Sequence, residues 1–583
     1  MVRFSTAFVV SALSLSAQLI SNPGAIPHTG RPPVVFLNGF ETDCPGSSFQ
    51  RAFGIADQVL QANSRVSLFF NNCNVSGSPS IEKLGAAFGE YLAGLRFDDG
   101  QPVTSVDVVA YSMGGLILRS YLSGKQETAM TFTPPVTVPI GKAIFVATPN
   151  FGTPVAGLAF GANVQTDELS SGSHFLMDLN TWNQGRDDLR GIDAIAVAGT
   201  GGTGIATTPG FDDGLAPLSS ASLGFYAAGR TRILPLCHVA TPGLLTVTGL
   251  CPPGAKGIAR VNAATDDNAR ILVSFLNGTN EWQTVGVAAE QNSFLANGGG
   301  LWVRARTAAD DRINPDSVRA ASGSNSKNLN MSNSEIAYTD LIPAGSVALT
   351  VNAGASSLTQ TVDLPAGGAR AYVLKTGPRI DAVIPAAGPV FPRVLAPRMI
   401  VAIYGVGMAN AAVTLGAIPV STIYVSDTQI NAVLPDNAPA GYAQMTVRNG
   451  AGSHSIGVFV EPAFPAVFTL NQSGTGAAAA VNANTGKVVS PANPIHAGQY
   501  LELYLTGLGS TTRLGGFDVA RLQPTVVLGG ADCAVTYAGA APGFPGLDQI
   551  NCIVPPGLGS RDAAVVVVSS GTRSSPATTV SVQ

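Results

Sequence analysis

Residues Ser105–Leu122 read SVDVVAYSMGGLILRSYL, and the reading of this stretch decides the fold. Val106, Val108 and Val109 make a β-branched run suited to a strand, because branched side chains pack well on a pleated surface. An amphipathic segment of helical length follows Gly115. Between them stands Ala110-Tyr111-Ser112-Met113-Gly114-Gly115, with small residues two before and two after a serine. Strand, abrupt turn and helix in this order lift a serine hydroxyl clear of a sheet. The small neighbours let the turned backbone pack closely. Ser112 is therefore the candidate nucleophile.

Upstream, Pro32 to Leu37 (PPVVFL) reads as a buried strand that runs into Asn38-Gly39-Phe40. A strand ending in a tight glycine turn can present a backbone N–H to developing negative charge. The N–H groups of Phe40 and Met113 are the two candidate donors of an oxyanion hole. Val66 to Phe70 is a further apolar strand, and Ile81 to Leu95 places Leu84, Ala87, Phe88, Tyr91, Leu92 and Leu95 at helical spacing. Downstream, Lys142 to Thr148 and Ile192 to Ala198 read as strands, Thr231 to Leu236 as the last strand and Asp266 to Leu276 as a closing helix. This alternation predicts an α/β fold: a mostly parallel sheet with helices on both faces. Val155 to Trp182 is glycine-rich and apolar, and is expected either to pack as core or to form a mobile cap over an acyl-chain site. His174 within it reads as a surface or packing histidine.

The histidines are His28, His174, His238, His454 and His496, and only His238 ends a late strand in this half of the chain. An acid in a short loop after a late strand is what an orienting carboxylate requires, and Phe211 to Ala221 offers Asp212 and Asp213. Asp213 is preferred because it immediately precedes Gly214-Leu215 at the turn. The order Ser112, Asp213, His238 is that of α/β hydrolases.

The chain has 583 residues, more than a single core usually supports, so several domains are expected. Charged residues make up 12%, about half the usual share. Lys plus Arg number 32 against 36 Asp plus Glu, with no basic cluster, which argues against nucleic acid as a partner. Residues 1–17, MVRFSTAFVVSALSLSA, read as a signal peptide cleaved near Gln18, so the chain is expected to be secreted, at the cell surface or periplasmic. Six cysteines suit that compartment. Cys44 with Cys73, Cys237 with Cys251 and Cys533 with Cys552 are sequence-local couples, and local pairing is the economical reading among 15 possible pairings.

Beyond residue 285 helical periodicity gives way to short alternating runs separated by Gly, Pro, Asn and Ser. A β-rich domain is expected over 286–376, then two β-sandwich units over 377–465 and 466–583, after a hydrolase domain over 18–285. Met399 to Tyr404 precedes Gly405-Val406-Gly407, and Leu501 to Leu505 precedes Thr506-Gly507-Leu508-Gly509; QINAVLP at 429–435 and QINCIVP at 549–555 repeat the same order. This is the mark of duplicated modules. His454 and His496 read as ordinary loop residues there.

The blocks Asn38-Gly39-Phe40, Ala110 to Gly115, Ala147 to Pro154 and Asp213 to Ser220 resemble those of secreted bacterial triacylglycerol lipases of the α/β-hydrolase fold. The resemblance covers roughly residues 32 to 280. It implies a serine carboxylic ester hydrolase with Ser112, Asp213 and His238 as triad, acting on an ester or lipid without metal or organic cofactor. The histidine of this chain departs from the family's usual setting, standing in Leu236-Cys237-His238-Val239. Residues 377–583 resemble the C-terminal region of many exported acidobacterial proteins, through Phe468 to Gly476 and Pro542 to Asn551, and their units resemble immunoglobulin-like IPT/TIG domains. That resemblance implies spacer, anchoring or binding modules in contact with a lipid–water interface, cell surface or polymer. A phospholipase or polyester hydrolase with the same triad, and an inactive hydrolase fold serving adhesion, are the competing readings.

Overall fold

The computed structural model describes residues 19–183, 189–203, 211–239, 250–307, 311–332, 335–354, 356–387 and 394–583. The expected leader at 1–17 and most of the loop between Val239 and Leu250 lie outside the described residues. An eight-stranded sheet is built from β1 (Leu19–Ile20), β2 (Val34–Leu37), β3 (Ser67–Phe70), β4 (Val106–Tyr111), β5 (Ile140–Val146), β6 (Asp193–Gly199), β7 (Thr231–Leu234) and β8 (Val287–Ala288), in the order β1-β3-β2-β4-β5-β6-β7-β8. All neighbours are parallel except β7 and β8. Leu37 of β2 lies opposite Ala110 of β4. The turns that follow these two strands therefore emerge side by side at the carboxyl edge of the sheet, where open α/β sheets place their sites.

The described helices are α1 (Phe49–Phe53), α2 (Ala56–Gln61), α3 (Ile81–Gly94), α4 (Met113–Ser123), α5 (Ala156–Phe160), α6 (Val164–Leu169), α7 (His174–Leu179), α8 (Leu218–Ala221) and α9 (Asp267–Leu276). Every residue of β4 is buried, as a central parallel strand covered on both faces must be. Alternate side chains divide between two cores. Val108 and Ala110 join Leu84 and Phe88 of α3 and Leu116 of α4, whereas Val109 and Tyr111 join Phe49 and Phe53 of α1 and Leu272 and Phe275 of α9. This is the period of two that a strand imposes. Helix α4 ends at Gly124, whose φ of 58° is the left-handed conformation glycine adopts readily.

Two differences from the sequence reading have physical causes. Strand β7 stops at Leu234 rather than Leu236, and it is not the last. The chain returns after α9 to add β8 beyond position 285, so the α/β unit extends at least to Ala288. A two-residue edge strand is too short to carry an alternation pattern.

The rest of the chain is β-rich. Strands Asn330–Met331, Ile336–Pro343, Gly298–Arg306 and Ala369–Lys375 form one four-stranded sheet, and Asn325–Asn328, Ser317–Ser322, Gly345–Ala353 and Ser356–Leu364 another. Leu301, Val303, Val347, Leu349 and Leu374 contribute to one core with them. A seven-stranded sheet spans Arg379 to Val460, and a 13-stranded curled sheet takes the remainder from Ala466. The repeated sequence blocks occupy matching places. Gln429–Val433 pairs antiparallel with Ile400–Val406, and Asp548–Ile553 pairs antiparallel with Tyr500–Thr506. His454 is not a loop residue: it lies buried in strand Gly452–Val460, where its Nδ1 accepts the Ile380 N–H at 2.9 Å. His496 lies outside the strands, as expected. No described helix is long and apolar enough to cross a membrane.

The first β unit also enters the core of the α/β unit. Trp302, Ile336, Ala369 and Ala371 belong to the cluster that includes β4, α3 and α4. The Trp302 ring lies 4.8 Å from that of Phe151 and stacks on Tyr338 at 5.6 Å.

Candidate active site

Ser112 links β4 to α4 with φ 54° and ψ −126°, a conformation costly for a residue with a side chain. Its N–H is held by the Val146 carbonyl at 2.8 Å. The space around this turn explains its glycines. A Cβ on Gly114 would stand 2.7 Å from the Leu37 carbonyl oxygen, one on Gly115 would collide with Thr148, and one on Gly39 would stand 2.7 Å from the Ser112 Cβ. The small residues thus permit close packing of α4 on β2 and of the Gly39 turn on Ser112.

Three side chains distant in sequence meet here. His238 Nε2 lies 2.8 Å from Ser112 Oγ, and His238 Nδ1 lies 2.8 Å from Asp213 Oδ2. All three residues are buried. Asp213 Oδ1 accepts the N–H groups of Leu215 and Ala216 at 3.0 and 2.7 Å, which leaves Oδ2 for the imidazole. An ionised carboxylate only accepts, so Nδ1 carries the proton in this arrangement and Nε2 is left to accept from the serine hydroxyl. Asp212, the adjacent acid, accepts the Gly214 N–H at 2.8 Å and is turned into its own loop.

Phe40 and Met113 lie on the two turns that flank Ser112. Met113 is the first residue of α4, so its N–H has no intrahelical acceptor. The Asn38-Gly39-Phe40 turn is anchored by side chains that sequence reasoning did not single out. Asn38 is fully buried; its Nδ2 donates to Ser47 Oγ and Asn71 Oδ1, and its Oδ1 accepts the Asn72 N–H. Asn72 Nδ2 in turn donates to the Gly39 carbonyl at 2.8 Å. The Asn71-Asn72 pair beside Cys73 was the available signal, but its partners lie more than thirty positions away. Burial raises the Glu41 carboxyl above its ordinary range, against the pull of Arg51.

The cysteines pair as Cys44–Cys73, Cys237–Cys251 and Cys533–Cys552. The first closes the loop that carries the Asn38 network. The second lies against the acid turn, since a Cβ on Gly214 would stand 2.5 Å from Cys251 Sγ. Within 155–182, Phe175, Leu176 and Leu179 of α7 pack in the core, and the ring of Phe160 in α5 lies 4.7 Å from that of Phe40. His174 is 44% exposed in its side chain, with Glu335 at 3.7 Å, as a surface histidine should be.

Residues 102–194 match the family model described as lipase (class 2). That span holds β4, the Ser112 turn, α4 and β5. Among solved structures, the chain is similar to phospholipase PlaB from Legionella pneumophila at 13% identity and a TM-score of 0.45, covering 59% of this chain and 93% of that one. It is also similar to the mature lipase BlEst2 from Bacillus licheniformis at 18% identity and a TM-score of 0.25, covering 36% and 85% respectively. None of the curated proteins compared matches. The chain carries a lipase- and esterase-like α/β-hydrolase domain, which classes it as a carboxylic ester hydrolase.

Proposed function

We propose that the protein is an exported serine esterase or lipase that cleaves acylglycerols through an acyl-enzyme formed on Ser112. The observation that carries this reading is the unbroken hydrogen-bonded chain from Ser112 Oγ through His238 to Asp213. His238 takes the serine proton as the hydroxyl attacks the ester carbonyl, and Asp213 holds the ring and stabilises the imidazolium that forms. The Phe40 and Met113 N–H groups receive the oxyanion. His238 then protonates the leaving alcohol, and water repeats the cycle to release the acid. The apolar neighbourhood of Phe40, Tyr111, Met113 and Phe160 favours an acyl chain over a charged substrate. Residues 377–583 are proposed to act as spacer or anchoring modules of the IPT/TIG type.

The test is hydrolysis of p-nitrophenyl esters of increasing acyl length by residues 18–583 and by the Ser112→Ala protein. Turnover by the unaltered protein alone, rising with chain length, is the expected result. No turnover on any ester would favour an adhesion or binding role.

A further inference from the structure

Between the α/β unit and the first β unit lies a cleft of ≈ 680 Å³, walled by Phe211, Asp212 and Phe294 and by Lys327, Thr339 and Asp340. Phe211 and Phe294 stack with ring centroids 4.1 Å apart and are both half-buried. Asp340, in strand Ile336–Pro343, has one carboxylate oxygen, Oδ1, shielded from solvent and without a hydrogen-bond partner. Among the described residues no cation forms an ion pair with it. Burial raises its pKa to about 6, with Lys327 the one charge that opposes the rise. A half-desolvated carboxylate without donors costs stability, because it has given up water and gained nothing in return. The fold alone gives no reason for an acid at this position.

We infer that this cleft binds a small organic ammonium ion, with Asp340 as its counter-charge and the Phe211 and Phe294 rings as its apolar wall. Phenyl faces attract cations through their quadrupole, and do so more strongly where water is partly excluded. Lys327 would receive an anionic group on the same molecule. Asp212 and Asp213 are adjacent but serve different places: Asp213 bonds His238, and Asp212 borders the cleft. The inference therefore does not rest on the proposed catalysis.

The test uses residues 18–583 carrying Ser112→Ala, so that turnover cannot interfere, and titrates glycerophosphocholine, choline and glucose calorimetrically at pH 7.5. Glycerophosphocholine and choline are expected to bind and glucose not to. Asp340→Asn should weaken both by about tenfold or more, the worth of a hydrogen bond or ion contact to a buried charge, without lowering the melting temperature. Lys327→Gln should weaken glycerophosphocholine alone. Binding should also fade as pH falls through about 6, where Asp340 takes up its proton while Asp212 and Lys327 line the same cleft. Equal affinity in the Asp340→Asn protein, no binding of either ammonium, or glucose binding as tightly as choline would overturn the assignment. Co-sedimentation with phosphatidylcholine but not phosphatidylglycerol vesicles would identify a lipid head group as the source; binding of the solutes without the vesicles would identify a free amine.

Discussion

The Tyr111 hydroxyl donates to the backbone carbonyl of His238 at 2.7 Å, so the residue before the proposed nucleophile holds its proposed base. Tyr111 is buried, and its pKa is pushed well above the ordinary value by that burial, so it remains a donor across the working range. Tyr111→Phe leaves the carbonyl unpaired at a cost of about 1–3 kcal/mol. It should lower kcat by roughly tenfold through misplacement of the ring. A lower melting temperature with unchanged kcat would show that the contact is structural only.

Gly39→Ala tests the proposed oxyanion turn. Its Cβ would stand 2.7 Å from Ser112 Cβ and 3.2 Å from Oγ, so the turn must retreat from Ser112. Loss of one well-placed donor typically costs about 100-fold or more in kcat. We expect that loss in ester turnover with a KM changed much less.

The disulfides should separate by function. Cys237 and Cys251 are 14 positions apart, and closing a loop of that size contributes about 3 kcal/mol in the chain-entropy model. Replacing both by serine should reduce turnover as well as stability, because the bridge lies against the Asp213-Gly214 turn and Cys237 immediately precedes His238. Replacing Cys533 and Cys552 by serine should affect only the unfolding of the last β unit, read by calorimetry, with turnover unchanged.

Trp302 stands in the core of the α/β unit although it belongs to a β strand outside that sheet. Trp302→Ala should cost about 3–5 kcal/mol. By the same reasoning a fragment ending at Ala288 should expose Phe151 and neighbouring apolar surface and be recovered insoluble, whereas one ending at Lys375 should fold. Limited proteolysis of the two fragments distinguishes these outcomes.

Glu168, at the end of α6, has a pKa raised from 4.5 to about 9, by burial first and by the Glu82 charge second, while the Ile81 N–H and the nearby Glu127 act in opposite directions on it. A carboxyl whose folded pKa lies above the unfolded one gives stability that is fully present below about 4.5 and lost as pH rises through about 9. Unfolding free energy should therefore decline over that window, and Glu168→Gln should flatten the decline. Denaturant titrations at pH 5, 7 and 9 measure it.

The sequence by itself determined the local chemistry. Val106 to Gly115 dictates strand, sharp turn and helix because β-branched residues, a serine between small neighbours and paired glycines each constrain their own backbone. The alternation of strands and helices specified the layers, and short separations along the chain pointed to the three disulfides. The tertiary structure decided what depends on residues far apart. Asn38 meets Asn71 and Asn72, Trp302 completes a core that begins at Ile26, β8 joins the sheet after a helix, and His454 is buried in a strand. Each of these rests on a contact whose energy exists only once two distant segments have been brought together. No local pattern records it, because neither segment alone has anything to gain from the residue it carries.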